Sequence, residues 1–168
     1  MNEKLRSAVT ASAVAAITCL ATMIIKVPTI GTGGYVNIGD SVVLIGAWLL
    51  GNPYGALAAA IGSALADLLS GYPAYVPGTA IIKFAMAFVC SVIYKRLAEK
   101  LHKTVVYIIS GIVAELIMIA GYFLYESTIL GYGIAASASI ISNAVQGIVC
   151  LVLGTAVILL FAKRSHPL

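Results

Sequence analysis

"GNPYG" at residues 51–55 breaks an uncharged stretch that otherwise runs from Ser41 to Ala66. The fold turns on how it is read. As a proline kink it leaves one long membrane span; as a tight turn at Gly51-Asn52-Pro53 it leaves two short helices. Either way the surroundings are membrane sequence. Residues 7–25, 41–66 and 127–162 carry no charge, and the 168-residue chain is 61% hydrophobic and only 10% charged. A soluble domain of this length needs far more polar surface. Apolar runs of about eighteen residues or more read as membrane spans, so the chain reads as an all-α integral membrane protein.

The basic residues decide between kink and turn. Lys4/Arg6, "KRLAEKLHK" at 95–103 and Lys163/Arg164 hold eight of the ten Lys and Arg residues. The positive-inside rule places all three clusters on the cytoplasmic side, which requires an even number of crossings between residues 7 and 94. Two helices around residue 52 satisfy that; one kinked span does not. The expectation is a single membrane domain over 1–168, a six-transmembrane-helix bundle with cytoplasmic N and C termini. Its spans are 7–25, 40–51, 53–69, 78–95, 104–126 and 136–162, with 26–39, 70–77 and 127–135 outside. The second span, at about a dozen residues or roughly 18 Å, is too short for a ~30 Å hydrocarbon core. The loop before it therefore has to dip into the protein, where irregular backbone is tolerated only if buried or lining a cavity.

Lys4, Arg6 and the Ala-rich run after them have the start of a signal peptide, but the run is longer than a usual h-region and spans continue to the C-terminus. It reads as a retained first span of a multi-pass protein of the bacterial cytoplasmic membrane. The net charge of +4 comes from clusters beside spans and reports topology and lipid headgroups, not nucleic acid. Cys19, Cys90 and Cys150 fall singly in three apolar runs, which implies neither a disulfide framework nor a metal site. His102 and His166 sit next to basic flanks and read as solvated. No G-x-x-x-x-G-K-[ST], G-x-S-x-G or H-E-x-x-H occurs, so nothing supports ATP hydrolysis by a P-loop or an enzyme reading, and no cofactor is implied.

Polar groups inside the spans do suggest chemistry. Intramembrane charges are costly and face a bundle interior or a cavity. Lys83 lies below the outer end of the fourth span and Glu115 near the middle of the fifth, with Met118 and Tyr122 following on its face. Ser139, Asn143, Gln146 and Cys150 share a face of the sixth span, and Asp67 ends the third. All lie between the outer surface and the midplane, which describes a pocket opening outward. Two plainer readings compete: Lys83 and Glu115 neutralise each other, and Asn143 and Gln146 join helices. In the outer loop, Gly31, Gly33 and Gly34 permit unusual backbone, Asp40 is placed to cap the second helix, and Tyr35 and Asn37 can face a ligand beneath. Ala8, Ser12 and Ala16, with Ala11 and Ala15, give the first span small-residue faces suited to close approach by a partner helix.

These residues resemble the substrate-binding S components of energy-coupling factor (ECF) vitamin transporters. The carrying stretches are "GYVNIGD" at 34–40, "GNPYGALAAAIGSALADLLSGY" at 51–72, "YVPGTAIIK" at 75–83 and the A-x-x-x-A of Ala11 and Ala15. The resemblance covers nearly the whole chain. It implies a six-helix fold, an outward site under the first loop, and a membrane T component with two ATPases as partners. Candidate substrate contacts are Tyr35, Asn37, Asp67, Tyr75, Lys83, Glu115, Tyr122, Asn143 and Gln146; candidate docking residues are Ala8, Ala11, Ser12, Ala15 and Ala16. Trp48, the single Trp, lies away from the pocket. Mixed Lys, Glu, Asn and Tyr suit a pyridoxine- or hydroxymethylpyrimidine-sized vitamin, with riboflavin next. The rival readings are a stand-alone secondary transporter coupled through Lys83 and Glu115, and a structural subunit without a ligand.

Overall fold

The computed structural model describes residues 2–29 and 31–164, with side chains to Phe161 in the last helix. His166 and the side chains of Lys163 and Arg164 lie outside the described residues. Six α-helices form a bundle: α1 (Glu3–Ile24), α2 (Gly39–Leu50), α3 (Tyr54–Leu69), α4 (Val76–Leu97), α5 (Lys103–Leu124) and α6 (Ser137–Arg164). A π turn (Tyr125–Ile129) and a 3-10 turn (Gly133–Ala136) join α5 to α6.

The "GNPYG" stretch is a turn. Gly51 ends α2 at φ +66°, the left-handed region that favours glycine, and its N–H donates to the Ala47 carbonyl. The Asn52-Pro53 bond is cis, and α3 starts at Tyr54. Gly55 lets the two helices meet at once, since a Cβ there would come within 2.7 Å of the Gly46 carbonyl oxygen. Helices α1 and α4 and the α5 and α6 segments are long and apolar enough to cross a membrane; α2, at 12 residues, and α3, at 16, are not. The short α2 is the centre of the bundle. Val43, Leu44 and Ala47 are fully buried against Met86, Ala87 and Cys90 of α4 and against Ala114 and Met118 of α5. Trp48 tilts against Tyr107 and donates to the Ser110 hydroxyl at 3.0 Å. A helix buried by protein over most of its surface, with Leu49 the exposed exception, has little need to span lipid.

Two expectations are corrected here. The loop before α2 is not simply irregular: Lys26–Pro28 (β1) and Tyr35–Asn37 (β2) pair antiparallel, with Val27 opposite Val36. The Thr29 N–H donates to the Gly34 carbonyl across the turn, where Gly31 takes φ +82°. The small residues of α1 also divide in two. Ala11 and Ala15 are buried against Ala58 of α3, while Ala8, Ser12 and Ala16 stay exposed. Contact is close enough that a Cβ on Gly62 would lie 2.4 Å from the Ala15 carbonyl oxygen. One small-residue row is thus internal packing, because backbones approach closely only where side chains are absent.

Candidate functional site

The helices alternate in direction, so α1 and α5 begin, and α4 and α6 end, at one end of the bundle with Lys4, Arg6, Lys95 and Arg96. The hairpin, the end of α3, the start of α4 and the α5–α6 connection meet at the other. There they enclose a polar cavity of about 20 Å³. The hairpin contributes Thr29, Gly34, Tyr35 and Asn37; α3 contributes Asp67. Tyr75 comes from just before α4 and Thr79 from its first turn, Tyr122 from the end of α5, Glu126 from the π turn after it, and Asn143 and Gln146 from α6.

Each wall is tied to the next. The Tyr35 hydroxyl donates to Asp67 at 2.6 Å, pinning the hairpin to α3. The Tyr75 hydroxyl donates to Glu126 at 3.0 Å, and Ser139 of α6 donates to the other oxygen of the same carboxylate. Burial and the adjoining Asp67 carboxylate raise the Tyr35 phenol; burial and Glu126 raise that of Tyr75. Both therefore remain O–H donors at ordinary pH. Tyr72 extends the aromatic wall, 4.6 Å from the Tyr35 ring and edge-on to Tyr75 at 6.4 Å. Thr79 and Tyr122 share a hydroxyl–hydroxyl hydrogen bond of 3.0 Å. Asn143 is 5% exposed and lines the cavity.

Beneath the floor lies an ion pair that the sequence did not reveal. Lys83 pairs with Asp40, both almost fully buried, and the Lys83 ammonium sits 5.3 Å from the Tyr122 ring centroid. Gln146 donates to the second Asp40 oxygen at 2.6 Å and accepts from the Asn37 N–H at 2.6 Å. Asp40 is thus not the helix cap expected of it. The Asn37 side chain takes that part, accepting from the Gly39 N–H at 2.8 Å. Gly39 is needed there, because a Cβ would stand 2.0 Å from the Thr22 hydroxyl.

The competing reading, in which Lys83 and Glu115 neutralise each other, gives way to a Lys83–Asp40 pair. Neither Lys83 nor Glu115 lines the cavity; Glu115 lies between α5 and α6 with both carboxyl oxygens unpartnered among the described residues. The other expected substrate contacts, Tyr35, Asn37, Asp67, Tyr75, Tyr122, Asn143 and Gln146, all converge. Glu126, Thr79 and Thr29 were missed. Glu126 had a legible sign: a carboxylate at the end of a span, facing a helix whose polar stripe begins at Ser139.

Residues 2–163 match the family described as "ECF-type riboflavin transporter, S component". The chain belongs to that family. Its relatives include a protein of Pyrococcus woesei described as an "Uncharacterized protein in gap 3'region". That protein is 29% identical over 147 residues, which is 88% of this chain and 95% of the relative. Among solved structures, the S component of a bacterial ECF transporter superposes with a TM-score of 0.71. At 18% identity it covers 98% of this chain and 100% of the other, a likeness of fold. This S component family member is accordingly a membrane transport protein, in a family that is not one of enzymes. The exposed outer faces of its helices, with Leu20, Ile81, Leu116, Ile141 and Val152, are those of a protein sheathed in lipid.

Proposed function

We propose that this chain binds riboflavin at the outer face of a cell membrane and delivers it inward with a T component and two ATPase subunits. The observation that carries the reading is the polar cavity under the hairpin, at the bundle end remote from Lys4, Arg6, Lys95 and Arg96. Under the positive-inside rule that end faces outward, with both termini cytoplasmic and six helices traversing the protein's membrane layer. The family's name favours riboflavin over the smaller pyridoxine-like vitamin, and the chemistry suits it. Tyrosine rings offer a stacking wall for a flavin ring system. The Asn143 amide can pair with the imide edge, while Asp67 and Glu126 can accept from ribityl hydroxyls.

At about 20 Å³ the cavity holds roughly one water, whereas ligand pockets run to about 300–1,000 Å³. Admission therefore requires the hairpin to lift. Among the described residues few hydrogen bonds hold it: Tyr35–Asp67, Asn37–Gln146, one from the Gly33 N–H to the Tyr132 hydroxyl at 3.2 Å and one from the Cys150 thiol to the Asn37 carbonyl at 3.5 Å. For the T component, the best-suited surface is a groove of about 400 Å³ between α1 and α3, with Ala11 and Ala15 inside it and Ala8, Ser12 and Ala16 along it. Native mass spectrometry of gently purified protein tests the assignment. A retained riboflavin mass supports it; a different retained vitamin replaces it.

A further inference from the structure

Three charged side chains occupy the interior beneath the cavity, and only two of them are partners. Lys83 of α4 and Asp40 of α2 are paired, and Gln146 fills the second oxygen of Asp40. Glu115, in the middle of α5, is 5% exposed, and neither of its carboxyl oxygens has a hydrogen-bond partner among the described residues. It borders a groove of about 160 Å³ between α5 and α6, otherwise apolar, with Leu116 and Ile119 on one side and Ala144 and Ile148 on the other. Gly147 makes the room: a Cβ there would meet the Glu115 Cβ at 3.1 Å and Oε2 at 3.2 Å.

An ionised carboxylate with no donor and no cation of its own is costly in such a place. The groups that face it relieve the cost only in part. Asp40 from α2 repels a negative charge there, Lys83 from α4 is already engaged, and the thiols of Cys90 (α4) and Cys150 (α6) bring no positive charge. We propose that Glu115 is a proton-binding site at the α5–α6 groove whose occupancy decides whether Lys83 stays with Asp40. With the proton bound, Glu115 is neutral and the Asp40–Lys83 pair holds Gln146, which holds the Asn37 N–H under the hairpin. On release, the carboxyl O–H bond breaks, the proton passes to water outside the hydrocarbon layer, and a second carboxylate competes for the one ammonium. Asp40 loosens, and with it the tie between Gln146 and the hairpin. Ligand binding is therefore strongest with Glu115 protonated and weakens as pH rises.

The binding arm of the test rests on the riboflavin reading; the proton site itself does not. In lipid nanodiscs, dicyclohexylcarbodiimide, an apolar reagent selective for protonated carboxyls, should modify Glu115, detected by peptide mass spectrometry. The adduct should fall as pH rises from about 6 to about 9 and vanish in Glu115→Gln. Gly147→Ala keeps the carboxyl but crowds it, and should reduce the adduct. Riboflavin affinity of the native protein should fall about tenfold over the same range, and that of Glu115→Gln should stay level. An unmodified Glu115, or the same loss of affinity in Glu115→Gln, overturns the proposal. Labelling that follows this pattern in a protein that binds no riboflavin would sink the vitamin assignment and leave the proton site standing.

Discussion

Lys83 and Asp40 are the residues where position in the sequence said least about role. They are 43 residues apart on different helices, and no spacing rule joins them. In the sequence Asp40 looked like a helix cap, because a carboxylate at a helix start usually is one. The side chain is instead drawn inward by Lys83 and Gln146, and Asn37 satisfies the first helical N–H. Glu115 looked like a ligand contact, with a role as counter-ion to Lys83 the competing reading, because it was the next carboxylate at a similar depth. By contrast, the convergence of Tyr35, Asp67, Tyr122 and Gln146 was legible, since their polarity inside or beside uncharged runs left them only a cavity to face. The ion pair sets up a clear expectation. Lys83→Met leaves Asp40 buried without its cation, at a cost of about 3–5 kcal/mol, and should lower the melting temperature in detergent by about 10 °C. Adding Asp40→Asn removes the stranded charge while keeping an acceptor for Gln146, and should restore most of the loss. Equal melting temperatures for the single variant and the native protein would mean the pair contributes little.

At the scale of elements, the turn at 51–55 could be read because glycine, proline and charge asymmetry agreed. The hairpin could not, because strands of three residues are too short for a period-two pattern to stand out. The α1 helix was half legible. Its small residues were evident, but four-residue spacing alone does not tell which row meets a neighbour in the same chain. Burial assigns Ala11 and Ala15 to α3 and leaves Ala8, Ser12 and Ala16 outward. The two rows should therefore respond differently. Ala11→Leu with Ala15→Leu forces α1 off α3 and should destabilise the protein, overpacking costing about 1–3 kcal/mol per site. Ala8→Leu with Ala16→Leu should leave stability and vitamin binding unchanged while vitamin uptake by cells carrying the complete transporter collapses. Normal uptake with that second pair would mean the face merely meets lipid.

For the whole molecule, the arrangement of charge predicts orientation. Lys95 and Arg96 close α4 at the end away from the hairpin, and Lys100 follows in the connection to α5; Gly131 lies in the α5–α6 connection, next to Tyr132, which meets the hairpin. Single cysteines placed at Lys100 and Gly131, in a background lacking the three native cysteines, should react with a membrane-impermeant maleimide from opposite sides, Gly131 from outside. Labelling of both from one side would contradict the crossing number on which an outward-facing cavity depends.

That cavity is the central claim, and fluorescence titration of riboflavin with the purified protein tests it most directly. Saturable quenching is expected as the flavin stacks beside the tyrosine wall of Tyr35, Tyr72 and Tyr75, with one flavin per chain. Excess pyridoxine should not reverse it. Glu126→Gln should weaken it by about tenfold, the loss expected when a ligand hydroxyl gives up a charged acceptor for a neutral one. Quenching that never saturates, or that is indifferent to Glu126, would contradict riboflavin binding beneath the hairpin.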